Sequence, residues 1–141
     1  MSSITLEIAK RILDVAFEEA ARRGVRNAAV VVTDVGGNIR AAQRSDTWGG
    51  FGVDIALAKA RSALGFGNAT INLAATFQEK PSSTIGINAA VGGRFIPIGG
   101  GIVVTDAAGD VIGAAAYAGG TPESDHEIII TAVKATGLYT P

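Results

Sequence analysis

The chain has 141 residues, 48% of them hydrophobic and 18% charged, which suits one domain with its own core and excludes a disordered segment. Twelve Lys and Arg against thirteen Asp and Glu leave a net charge of −1, without the clustered basic footprint of a nucleic-acid binder. The absence of cysteine removes disulfides, thiolate metal sites and cysteine nucleophiles, and the single histidine, His126, removes multi-histidine metal sites, so no metal site is expected.

Residues 1–141 read as a single domain. Its opening, MSSITLEIAKR, places charged residues where a secretory signal has its apolar stretch, and no apolar run is long enough to span a bilayer. A cytoplasmic location is the resulting expectation. Thr5 to about Arg23 is the clearest helix: Ile8, Ala9, Ile12, Leu13, Ala16, Phe17 and Ala20 form one apolar stripe. Thr5 is its expected N-cap, Gly24 its stop, and Glu18–Arg22 and Glu19–Arg23 its expected ion pairs.

Two hairpins follow the same local grammar. VVTDVGGNI (Val31–Ile39) and VVTDAAGDV (Val103–Val111) share V-V-T-D-x-x-G-[ND]-[IV]. The Asp bonds back to the turn's own amides and the Gly accepts positive φ at the tip. Strands are expected at 28–33 and 39–44, then at 102–105 and 111–117. Convergent turn chemistry and membership of one sheet both account for the likeness.

Between the hairpins, 52–66 is apolar almost all round, which marks a helix covered on more than one side. Residues 70–77 and 83–91 read as weaker helices, and Phe95–Ile98 as a short strand entering Gly99-Gly100-Gly101. Thr121-Pro122 opens a last helix whose apolar face, Ile128, Ile129, Ala132, Val133 and Ala135, ends at Gly137. This order gives an α+β fold: a mainly antiparallel sheet of about five strands with helices packed on it. Subunit contacts are expected on the Ala/Gly-rich stretch 113–120.

Several residues stand out as candidates for chemistry. Arg44, Asp46 and Lys59 form the densest group of charges that helical periodicity leaves unexplained. A buried Lys59 either pairs with a carboxylate or titrates low and serves catalysis; the structural alternative is an Arg44–Asp46 loop brace with Lys59 reaching water. Arg94, after Gly92-Gly93, faces an anionic ligand or caps a strand edge. Trp48 and Phe51 line an apolar pocket or fill a lid over the sheet. Gly99 and Gly100 lack the Lys-Ser/Thr of a phosphate loop and instead let a ligand or another backbone approach. His126, flanked by Asp125 and Glu127, is a haem-ligand candidate or an exposed helix histidine.

Taken in order, the segments LEIAKRILDVAFEEA, VVTDVGGNIRAAQRSD, DIALAKARSALGF, GGRFIPIGGGIVV and VIGAAAYAGGTPESDHEI resemble the GlcG/HbpS haem-binding family, which includes the C-terminal domain of PduO-type cobalamin adenosyltransferases. The likeness spans essentially the whole chain. It implies a profilin-like α/β/α sandwich, a homo-oligomer (dimer or larger) and a small-molecule ligand, with haem as the cofactor. Haem requires an apolar slot and cations for its two propionates, and Arg44, Lys59 and Arg94 are the candidates for the cations. A second reading is a small-molecule enzyme, an isomerase, tautomerase or hydratase in a catabolic pathway, with Lys59 or Asp46 as acid/base and an Arg clamping a carboxylate. A third is a regulatory oligomer with no ligand of its own.

Overall fold

The computed structural model describes residues 3–141; Met1 and Ser2 of the charged opening lie outside the described residues. Helix α1 (Leu6–Arg22) is capped by Thr5, whose hydroxyl accepts from the Ile8 amide at 3.3 Å, and the chain leaves it through Gly24. Of the expected ion pairs, Glu19–Arg23 forms at 2.8 Å, whereas Arg22 turns to Glu19 rather than Glu18. The hydrogen bonds from Arg22, then Arg23, hold the Glu19 carboxyl down at about 2. A depressed carboxyl adds stability above its unfolded pKa, and that stability is lost as pH falls through its folded pKa. Glu19→Gln is therefore expected to lower the melting temperature at pH 6 and much less at pH 2, the difference shrinking below about pH 4.5. Thermal melts from pH 2 to 6 check it; a gap as large at pH 2 as at pH 6 would show that the ion pair is not its source.

Strands β1 (Ala29–Thr33) and β2 (Ile39–Arg44) form the first hairpin, and β3 (Gly101–Thr105) and β4 (Val111–Ala118) the second. The two turns are built alike. Asp34 Oδ1 accepts from the Gly36 and Asn38 amides, each at 2.9 Å, and Asp106 Oδ1 from the Ala108 and Asp110 amides, each at 3.0 Å. Gly37 (φ 79°) and Gly109 (φ 86°) take the left-handed position. Both hairpins join one antiparallel sheet of order β2-β1-β4-β3, in which Ala29 faces Ala118 and Val31 faces Ala116.

The sheet has four strands, not five. Phe95–Ile98 alternates like a strand but its amides are claimed by helix side chains: Phe95 N donates to Asn88 Oδ1 (3.0 Å), Ile96 N to Ser62 Oγ (2.8 Å), and Pro97 has no N–H. The expected subunit surface at 113–120 is also corrected: β4 runs between β1 and β3, and Ile112–Ala118 are buried within the chain itself.

Helices α2 (Gly52–Phe66), α3 (Thr70–Phe77), α4 (Pro81–Ala90) and α5 (Pro122–Ala135) complete the order. α1 and α5 cover one sheet face through a core of Val, Ile, Leu and Tyr117 side chains. α2 covers the other with alanines: Ala56 and Ala60 pack on Ala29, Ala114, Ala116 and Ala118. Small side chains on both surfaces let α2 lie close to the strands, and this closeness shapes the site. Gly86 marks the opposite extreme, because a Cβ added there meets nothing within 4 Å. Gly86→Ala in α4 is expected to stabilise by up to about 1 kcal/mol, checked by urea unfolding. Among the described residues no helix is long and apolar enough to cross a membrane.

Candidate functional site

The α2 side of the sheet carries two clefts, one toward each end of that helix. Lys59 lies between them on the inward stripe of α2 with Ala56, Ala60 and Ala63, 3% exposed. Its Nζ donates to Asp125 Oδ2 at 3.1 Å and to the Tyr117 carbonyl at 3.3 Å. Asp125 stands in the first turns of α5, which Thr121 and Ser124 fix through a reciprocal capping box. Its other oxygen accepts from the Gly120 amide at 2.8 Å. Burial pushes the Lys59 ammonium down and the Asp125 carboxyl up, each opposed by the other's charge. The two groups thus form a buried, hydrogen-bonded pair in a low-dielectric seat.

The smaller cleft, about 190 Å³, ends on this pair. Its walls are Trp48, Ile55, Ile98, Ala118 and Pro122. Gly119 and Gly120 complete the lining, whereas Gly99 and Gly100 are not part of it, and what approaches them is this chain's own backbone. A Cβ at Gly99 would stand 2.8 Å from the Pro122 carbonyl, and one at Gly100 2.4 Å from the Tyr117 carbonyl.

The larger cleft, about 360 Å³, lies between the β1–β2 turn, the last turns of α2 and the segment after α4. Val35, Leu64, Phe66, Ile87, Val91 and Phe95 give it apolar walls. Phe66, Phe77 and Phe95 pack as an aromatic trio with centroids 5.3–5.9 Å apart, which stiffens one wall. Two guanidiniums line it, Arg61 and Arg94. Each is aimed by one hydrogen bond from Nε, Arg61 to the Gly37 carbonyl (3.0 Å) and Arg94 to the Val91 carbonyl (2.6 Å).

The candidate residues from the sequence therefore divide. Lys59 and Trp48 meet at the smaller cleft, Arg94 belongs to the larger one, and Gly99 and Gly100 line neither. Arg44 lies opposite Ala29, on the α2 face, but its guanidinium holds the Trp48 carbonyl. Among the described residues no ion pair joins it to Asp46, which is exposed in the loop and lines neither cleft. Phe51 is 80% exposed and outside both. His126 also lines neither; it is half-buried rather than exposed, burial lowers its pKa, and its Nδ1 is sealed without a partner. Sequence reasoning did not single out Asp125 or Arg61 as site residues. Arg61 carried a usable signal, a charge recurring on the otherwise apolar 52–66 helix; Asp125, 66 residues from Lys59, carried none.

Fold and site together define an α/β/α sandwich with one apolar, guanidinium-bearing cleft and one lysine–aspartate cleft. The chain matches the model of the HbpS-like family, described as haem-degrading protein HbpS-like, over residues 4–134, and it belongs to that family. No curated protein matches it. Among solved structures it is similar to Klebsiella pneumoniae protein ORFY, at 30% identity and TM-score 0.87, covering 97% of this chain and 92% of that one. It is also similar to HbpS, at 25% identity and TM-score 0.81 over 96% of this chain and 91% of that one. A complex of PduOC with haem shares the fold at TM-score 0.86 and 24% identity, over 98% of both chains.

Proposed function

We propose that the protein is a haem-binding member of its family and that the larger cleft receives the macrocycle. The carrying observation is the pairing of six apolar wall residues with Arg61 and Arg94 in one cavity. A porphyrin presents a flat apolar face and two carboxylates, and planar guanidiniums match carboxylates bidentately. Arg61 and Arg94 each spend Nε on a backbone carbonyl, which leaves their terminal nitrogens for the propionates. Phe66 and Phe95 supply ring surface for the macrocycle. The lining fits the periphery of haem; it contains no imidazole, thiolate or thioether for the iron. When bound, haem supplies redox-active iron, and the protein's part is to hold and shield it.

Haemin titration followed at the Soret band tests this. Wild-type protein is expected to give a saturable shift, and Arg94→Ala to weaken binding roughly 10- to 100-fold, the loss of one charge-assisted contact of about 1.5–3 kcal/mol. His126→Ala is expected to leave the titration unchanged. Unaltered binding in Arg94→Ala, with loss in His126→Ala, would move the site to α5. The proposal includes a cytoplasmic homo-oligomer, tested by cell fractionation and light scattering. Its support is the exposed apolar side chains Phe51 and Ile85, which a second copy would cover.

A further inference from the structure

The haem reading leaves the Lys59–Asp125 couple without a task. A buried ion pair is weak evidence of a stabilising device, because apolar residues of similar volume commonly serve as well. This one also closes a cavity. The smaller cleft has room for on the order of six waters. Apart from Lys59 and Asp125, its side-chain lining is apolar, and no Arg is present to hold a carboxylate. Such a shape suits a small neutral molecule that presents one polar atom to the end of the cleft. We propose that the smaller cleft binds a small neutral aldehyde or ketone and that Lys59 Nζ condenses with its carbonyl to form a Schiff base.

The chemistry balances within the pair. Transfer of a proton from Nζ to Asp125 Oδ2, across 3.1 Å, leaves a neutral amine beside a carboxylic acid. The amine lone pair attacks the carbonyl carbon and the C=O π pair moves onto oxygen, giving a carbinolamine after the nitrogen's proton shifts to that oxygen. Asp125 then returns its proton to the hydroxyl, the C–O bond breaks, and water leaves. The product is an iminium at Nζ beside an Asp125 carboxylate, so the buried charges stay paired throughout. Burial lowers the Lys59 pKa and so favours the neutral amine that the first step needs.

Reductive trapping tests the proposal without haem. The folded protein is incubated at pH 7 with propionaldehyde and cyanoborohydride, and the secondary amines formed are mapped by peptide mass spectrometry. The exposed Lys10, Lys80 and Lys134 are internal controls. Lys59 is expected to be labelled faster than these, because the cleft delivers the aldehyde to Nζ and Asp125 stands 3.1 Å away to take and return the proton. Ile98→Trp, a change at the 45% exposed rim, is expected to slow Lys59 labelling and leave the controls unchanged. Labelling of Lys59 no faster than the controls, or only in urea, overturns the proposal. Fast labelling that Ile98→Trp does not slow overturns the cleft as the binding place. Each result stands whether or not haemin binds at the larger cleft.

Discussion

Lys59→Met is expected to destabilise the protein by about 3–5 kcal/mol, because it strands a buried carboxylate rather than because it removes a favourable contact. Asp125 is 2% exposed, and without Lys59 only the Gly120 and Gly119 amides remain to balance its charge. The pH dependence separates this cause from lost packing. Burial already raises the Asp125 carboxyl and Lys59 opposes that rise, so the variant's carboxyl titrates higher still. A group whose folded pKa is raised contributes stability below its unfolded pKa, and that contribution is lost as pH rises through the folded pKa. The gap between variant and wild type should therefore be smaller at pH 4 than at pH 7. Adding Asp125→Leu to Lys59→Met should recover more than half of the loss, since an apolar pair leaves no orphan charge. Urea unfolding of both single variants and the double variant measures the coupling. A pH-independent loss, or a double variant as unstable as the sum of its parts, would assign Lys59 to packing alone.

The elements that the sequence reveals best are those with local causes. The 52–66 helix is read with the bounds it has, since its apolar run begins after Gly49-Gly50 and stops at Gly67, a left-handed glycine at φ 64°. Both hairpin turns are legible because Asp, Gly and the turn amides that they serve lie within five consecutive residues. Phe95–Ile98 misleads for the converse reason: its alternation is real, but the partners of its amides come from Ser62 and Asn88 on two helices. Periodicity records which face is apolar and not where the hydrogen bonds go.

The candidate site follows the same division. A lysine on an apolar helix announces that it needs a partner, which is why Lys59 is legible and Asp125 is not. Asp46, grouped with Arg44 and Lys59 in the sequence, stays in solvent while α5 delivers a carboxylate from 66 residues away. Arg94 is visible as a charge after a glycine pair, but the cleft that gives it meaning needs the β1–β2 turn and α2 in place. His126 draws attention as the lone histidine, yet it is a half-buried residue of α5 with its Nδ1 sealed, and it lines neither cleft.

The contact that holds this arrangement together is the one between α2 and β3, and Gly101→Ala should disrupt it at a cost of about 3 kcal/mol, the upper end for overpacking. A Cβ at Gly101 would stand 2.3 Å from the Lys59 carbonyl oxygen and 2.6 Å from its carbon. Both atoms are backbone, so no side chain can rotate away. Gly101 does not lie at positive φ, and the penalty is therefore proximity without a conformational component. Relief requires α2 to lift, which opens the alanine layer of Ala56 and Ala60 on Ala114 and Ala116, or β3 to retreat from Thr70, whose hydroxyl accepts from the Gly101 amide at 2.8 Å. Lifting α2 also draws Nζ away from Asp125. The variant should thus lose part of the Lys59–Asp125 coupling, and the cycle described for that pair, repeated in the Gly101→Ala background, should give a smaller value. Stability within about 0.5 kcal/mol of wild type would mean that helix and strand separate without cost and that close approach is not what seats Lys59.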